Sequence, residues 1–223
     1  MKILALECSG KILSAALRTP DGLWEISIDA GFHHVETLMS AVSSLMDLAG
    51  EKPSSLDLTA CSAGPGSFTA LRIGMSTAKG IARGAGCHLK TVPTLPLLAA
   101  GREHWPGIVI PVMDARKKRV YAAAFRQGER IHEDADTDLK EFLEKFSKEH
   151  PILVTGPDAG IASEYPGITV DPLHAVSRAA VLADMAADAL RKEGPDPPDT
   201  GPLYLRLSEA EENQLQGKIV HEQ

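Results

Sequence analysis

The residues best placed by type and spacing to do chemistry form one run, Ser62-Ala63-Gly64-Pro65-Gly66-Ser67-Phe68-Thr69-Ala70-Leu71-Arg72-Ile73-Gly74. An apolar segment, Leu58 to Cys61, feeds it, and two glycines and a proline turn the chain. Ser67 and Thr69 are residue types that cap helix N-termini. Strand, tight loop and helix in that order leave backbone N–H groups free at the helix start, where they can hold an anion. Gly64, Gly66, Ser67, Thr69 and Arg72 are therefore a candidate anion or nucleotide loop. It is not a Walker A loop, because no Lys-Ser or Lys-Thr follows the glycines at the required spacing. The plainer reading is a turn that launches a capped helix.

Two further constellations compete for a chemical role. Ala60-Cys61-Ser62-Ala63-Gly64 is close to a nucleophile elbow, and Asp171 and His174 follow in the order Ser, Asp, His. The first glycine of that motif is Ala60, however, and no Gly-rich oxyanion segment lies upstream. Arg116-Lys117-Lys118-Arg119 is a basic turn after Asp114. It can contact an anionic partner or simply face water.

The totals narrow the field. The chain has 223 residues, 43% hydrophobic and 24% charged, the composition of an ordinary globular protein with ample core. Its net charge of −7 argues against broad, unaided binding to nucleic-acid phosphates. Cys8, Cys61 and Cys87 are far apart and form no CxxC pair, which excludes a zinc ribbon or thioredoxin motif and fits reduced thiols. The N-terminus turns polar too early for a signal peptide, and no apolar run has the ~20 residues of a membrane span. A cytoplasmic protein is expected.

The elements that must position these residues follow from periodicity. Ile3–Cys8, Ile12–Arg18 and Leu23–Ile28 read as an antiparallel meander. From His33 to Gly50, Val35, Leu38, Met39, Val42, Leu45 and Met46 recur at helical spacing, with Gly50 as the stop. Leu58–Ala63 is a strand, the next helix runs to Arg83, Cys87–Val92 is a strand and Thr94–Arg102 a short helix. The order then partly repeats: strands Ile108–Met113, Val120–Phe125 and Arg130–Glu133, helix Leu139–Lys148, strand Ile152–Thr155 and helix Val176–Arg191. A duplication of this kind predicts two related lobes facing across a cleft. The expected division is residues 1–104, residues 105–202, and a segment 203–223 that packs back and frays at its polar end. Within the second helix, Ala70, Gly74, Ala78 and Ala82 form a stripe nearly without side chains, which lets another helix approach closely.

The Ser62 to Gly74 run resembles the signature of the TsaB (YeaZ) family, bacterial partner proteins in making threonylcarbamoyladenosine in tRNA. The resemblance extends over the opening strand, the His33–Gly50 helix, Pro111-Val112-Met113-Asp114-Ala115-Arg116, Val120-Tyr121-Ala122-Ala123 and Tyr204-Leu205-Arg206. It implies an α/β fold of the two-lobed actin/hexokinase/Hsp70 type, built on a ribonuclease H-like repeat of mixed sheets flanked by helices. It also implies kinship with the catalytic subunit TsaD and with the old "glycoprotease" label. The function implied is a non-catalytic scaffold that binds TsaD and supports threonylcarbamoyl transfer to N6 of an adenosine in ANN-decoding tRNAs. The small ATPase TsaE would be a further partner, and tRNA would be met through the complex. A stand-alone phosphotransferase or peptidase of the same fold is the alternative.

The wide apolar stripe of the first helix and the small stripe of the second make the two helices the expected homodimer and TsaD interface, at Val35, Leu38, Met39, Val42, Leu45, Met46, Ala70, Gly74 and Ala78, and the resemblance implies the same surface. Glu7 stands where relatives usually carry Asp, so Glu7 and Asp114 are expected as a vestigial phosphate site. Ala70 replaces a usual Gly. TsaD-type proteins place two metal-binding histidines four apart on a helix. Here Thr37 follows His33 at that spacing and Leu38 follows His34, so no metal is expected. No cofactor of its own is expected either, with ATP or ADP only at an interface shared with partners.

Overall fold

The computed structural model describes residues 1–31, 33–146, 148, 151–172 and 178–206. The chain opens with β1 (Ile3–Glu7), whose five residues are all buried. A strand buried on both faces belongs at a sheet centre. There β1 pairs antiparallel with β2 (Ile12–Arg18) on one side and parallel with β4 (Leu58–Gly64) on the other. β3 (Leu23–Asp29) alternates exposed and half-buried residues and closes one edge. β5 (His88–Pro93) pairs parallel with β4 and closes the other.

Helix α1 (His34–Ala49) joins β3 to β4 and stops at Gly50, which adopts the left-handed conformation. Helix α2 (Phe68–Ala85) joins β4 to β5, and the short helix α3 (Thr94–Ala99) leaves β5. The second half repeats this layout with β6 (Ile108–Arg116), β7 (Arg119–Arg126), β8 (Glu129–Thr137), α4 (Leu139–Glu144), β9 (Ile152–Thr155), a 3-10 helix over Ala159–Glu164, and β10 (Ile168–Val170). The first sheet runs β3-β2-β1-β4-β5 and the second β8-β7-β6-β9-β10. Each has two antiparallel pairs followed by two parallel ones, so the duplication expected from sequence is complete at the level of topology.

Period-two alternation along β1 sends Leu4 and Leu6 to one face of the first sheet and Ile3 and Ala5 to the other. The first face packs on α1 and α2. The second is covered by α5 (Ala179–Glu193) through Leu182, Ala183 and Ala186. In the second sheet, Ile110, Val112 and Ala122 pack on α4 and the 3-10 helix. Val109, Met113 and Ala123 of the same strands pack on Leu95 and Leu98 of α3. The helix that ends each repeat thus covers the other repeat's sheet. Helix α5, counted with the second lobe in the sequence, packs on the first.

Several boundaries differ from expectation for identifiable reasons. Helix α3 stops at Ala99 because Ala100 turns extended (ψ 142°) and Gly101 adopts φ +82°. Helix α4 ends four residues early, at Glu144, in a turn. β8 continues to Thr137, its Asp134 and Asp136 engaged by Arg130 and Arg119. β10 was not expected at all. The expected start of α5 at Val176, His174 and the tail beyond Arg206 lie outside the described residues.

Candidate functional site

The signature loop meets the β1–β2 turn. A Cβ on Gly66 would lie 2.4 Å from the Ser9 carbonyl oxygen, so only glycine lets the two backbones approach. The Ser67 N–H donates to that same carbonyl (2.8 Å). Ser67 is the N-cap of α2 in extended conformation, yet its hydroxyl makes no cap hydrogen bond, contrary to the expected side-chain cap. Gly64 has φ +114°, and a Cβ there would lie 2.4 Å from the Leu203 carbonyl oxygen. The loop expected to offer Gly64, Gly66 and Ser67 to an anion is packed on both sides by its own chain.

Glu7, at the end of β1, is 7% exposed. Its carboxylate accepts from the Ser9 N–H (2.8 Å). Burial pushes its pKa up, partly offset by hydrogen bonds from Ser9 and Ser62 and by nearby His34. His34 Nε2 lies 2.9 Å from the Gly10 carbonyl and donates to it. Every polar group named in this turn is used to hold the turn itself. Gly10 reaches the second lobe, where its Cβ position lies 3.8 Å from Pro157 Cγ and 3.9 Å from Met113 Cε.

Asp114 is on the opposite lobe. Its carboxylate accepts from the Arg116 N–H (2.7 Å), and its own N–H donates to Asp158 (2.8 Å). The structure gives Asp114 and Glu7 no shared contact; each caps its own turn. The β6–β7 turn that follows is unusual. Arg116, Lys117 and Lys118 have φ of 61°, 54° and 61°. Left-handed conformation costs a non-glycine residue about 1 kcal/mol or more.

The segment after Pro202 crosses from one lobe to the other. The Leu203 N–H donates to the Ala63 carbonyl (2.7 Å). Tyr204 stacks on Phe68 with ring centres 4.9 Å apart, and its hydroxyl accepts from Arg72 Nε (2.8 Å). Arg206 then binds Asp136 of β8 (2.6 Å) and the Ala115 carbonyl (3.1 Å). Arg72, expected in the anion loop, is thus held over the Phe68 ring (3.8 Å) and against Tyr204. The sequence showed this strap as a segment that packs back and marked Tyr204 and Arg206 through the resemblance, but their partners Phe68, Arg72 and Asp136 were not foreseen. Thr69 is exposed on the first turn of α2.

The two helices distribute the expected interface residues unevenly. Leu38, Val42, Leu45 and Met46 are at most 5% exposed and belong to the core of the first lobe. Ala70, Gly74 and Ala78 are buried as well. A Cβ on Gly74 would lie 2.9 Å from the Cβ of Cys8, which follows β1, so the small stripe serves close packing within the first lobe. These seven positions, expected at the interface, are instead packed inside the first lobe. The outer surface is carried by Val35 (65% exposed), Met39 (54%) and Leu48 (68%) of α1. On α2 it is carried by exposed Ser76, Gly80 and Gly84, and Cβ atoms at the two glycines would meet nothing within 4 Å.

The nucleophile-elbow constellation does not assemble. Ser62 lies within β4, 2% exposed, and its hydroxyl accepts from the Cys8 N–H (3.3 Å). Asp171 binds Arg102 (2.5 Å) and the Thr155 hydroxyl (2.7 Å). Burial pushes the Cys61 thiol up to about 12, which leaves it unreactive. Among the described residues no three His, Cys, Asp or Glu side chains are grouped to hold a metal ion, and no helix is long and apolar enough to cross a membrane.

Comparison with known proteins agrees with this geometry. The family model described as "TsaD: tRNA N6-adenosine threonylcarbamoyltransferase" matches residues 28–194. A Bacillus subtilis (strain 168) relative named tRNA threonylcarbamoyladenosine biosynthesis protein TsaB is 30% identical over 221 residues, covering 95% of this chain and 96% of the relative. The Escherichia coli (strain K12) protein of the same name is 30% identical over 179 residues, covering 72% of this chain and 75% of its own. The solved structure of YeaZ from Pseudomonas aeruginosa superposes with a TM-score of 0.74 at 24% identity, over 92% of this chain and 99% of that one. The duplicated sheets are those of the two-lobed actin/hexokinase/Hsp70-type fold, and the chain belongs to the TsaB (YeaZ) family, within the wider family that the TsaD model describes.

Proposed function

We propose that this chain is the non-catalytic scaffold and activating subunit of a tRNA threonylcarbamoyladenosine assembly. It binds TsaD through the outer face of α1 and α2 and pairs with a second copy of itself through the same face when TsaD is absent. TsaE is a further member, the setting is the cytoplasm, and any ATP or ADP sits at an interface shared with partners. The relatives named for this biosynthesis support the process.

The observation that carries the scaffold role is the outer helix face. Val35 and Met39 stand exposed one turn apart on α1, and Ser76, Gly80 and Gly84 follow at four-residue spacing on α2. Gly80 in a helix interior costs about 1 kcal/mol relative to Ala, and none of the described residues requires its small size. A strip of small residues beside exposed apolar groups suits a close helix–helix contact with another molecule. Reconstituting threonylcarbamoyl transfer to tRNA from purified TsaD, TsaE and the threonylcarbamoyl donor, with and without this chain, tests the reading. Product should form only when the chain is present; equal product without it would refute an activating role.

A further inference from the structure

We propose that the tip of the β6–β7 hairpin, Arg116 to Arg119, is a direct contact for the phosphate backbone of RNA. The inference rests on the proposed membership in a tRNA-modifying assembly and adds a surface of this chain that touches the nucleic acid itself.

The backbone supplies the first argument. Arg116 pairs with Arg119, so Lys117 and Lys118 form a two-residue turn, both with positive φ. Such turns favour Asn-Gly, because glycine adopts that conformation without strain. The next hairpin of the same sheet does use glycine: Arg126 pairs with Glu129 around Gln127 and Gly128. The fold therefore has a relaxed solution at hand and keeps two lysines where it is not applied. Strain retained in this way points to the side chains rather than the turn.

Placement supplies the second. All four basic residues are exposed, in a chain whose net charge is −7. The base of the tip is braced. Asp114 accepts from the Arg116 N–H, Asp136 holds both Arg119 and Arg206, and Arg206 reaches the Ala115 carbonyl. A braced tip loses little freedom on binding. The β1–β2 turn of the first lobe meets the second lobe at Met113, three residues before the tip, and at Pro157. Cations on an open, projecting turn fit an extended polyanion better than a small phosphate ligand. Lysines act there as point charges, so the contact positions RNA without reading its bases.

The test uses the full chain in complex with TsaD and an unmodified ANN-decoding tRNA transcript. The Lys117→Asn, Lys118→Gly double variant keeps the turn and removes two charges. Its Tm should rise by about 2–4 °C as strain is relieved. TsaD binding should be unchanged, while tRNA binding weakens and the slope of log affinity against log salt becomes shallower by about 1–2. Unchanged tRNA affinity and slope in an intact complex would overturn the proposal. So would a Tm that does not rise, or a loss of TsaD binding instead, which would assign the tip to an acidic protein surface. Failure of the wild-type chain to join TsaD would overturn the underlying reading and this contact with it.

Discussion

The turns that lead the two repeats, Ser9–Lys11 after β1 and Arg116–Arg119 after β6, occupy the same topological position and are built in opposite ways. In the first, the Ser9 carbonyl accepts from Ser67, the Ser9 N–H donates to Glu7, and the Gly10 carbonyl accepts from His34. Its groups point into the protein, and glycine at position 66 lets the signature loop close over it. In the second, the main chain is strained, the side chains are basic and exposed, and the anchoring carboxylates sit at the base. Duplication conserves the course of a chain. It does not conserve what a turn offers to solvent, which is set by a few side chains and one or two close backbone approaches.

The inward turn should be the more fragile. Gly66→Ala places a methyl 2.4 Å from the Ser9 carbonyl, a backbone atom that cannot swing aside. A loss of about 3 kcal/mol in urea-induced unfolding is expected, at the upper end of overpacking effects. An unaffected midpoint would show that the signature loop is looser than its contacts imply. A smaller effect is expected at Glu7. Because burial raises its pKa, the folded chain holds this proton to higher pH than the unfolded chain does. Stability should therefore fall as pH climbs from about 4.5, the ordinary value, through the raised folded value, and then level off. Glu7→Gln keeps an oxygen to accept from Ser9 and removes that fall, so the variant should be the more stable protein at neutral pH. A wild-type profile flat over this range would mean that the carboxylate is better solvated than its burial indicates.

Much of the fold was legible in the sequence because its signals are local. Ile12–Arg18 and Ile152–Thr155 are apolar runs of strand length, Gly50 stops a periodic helix, and the meander turns carry glycine or proline. What escaped depends on partners far away in the chain. β10 has three residues after Pro166 and Gly167 and is a strand only because β9 lies beside it. The acidic end of β8 hides its alternation, since Asp134 and Asp136 are placed by arginines rather than by apolar packing. The same limit applies to the candidate site. The stripe of Ala70, Gly74 and Ala78 was visible, but the surface it meets was not, because the Cys8 contact joins residues from different elements. Gly80, a glycine inside a helix, asks for a packing reason from sequence alone, whereas the outward position Gly84 stands out only once the inward ones are accounted for. The left-handed turn at Lys117 and Lys118 has no sequence signature, since those residues are not the ones that conformation favours.

The outer face of α1 and α2 remains the central claim, and Gly80 tests it most directly. Its Cβ direction is open, so Gly80→Arg should leave the fold intact, with circular dichroism and Tm close to wild type. Titrated against purified TsaD in analytical ultracentrifugation, the wild-type chain should form a heterodimer, while the Gly80→Arg chain should sediment alone with its affinity reduced at least about 100-fold, as a buried unpaired charge demands. A variant that binds TsaD as tightly as wild type would contradict the account and move the interface elsewhere.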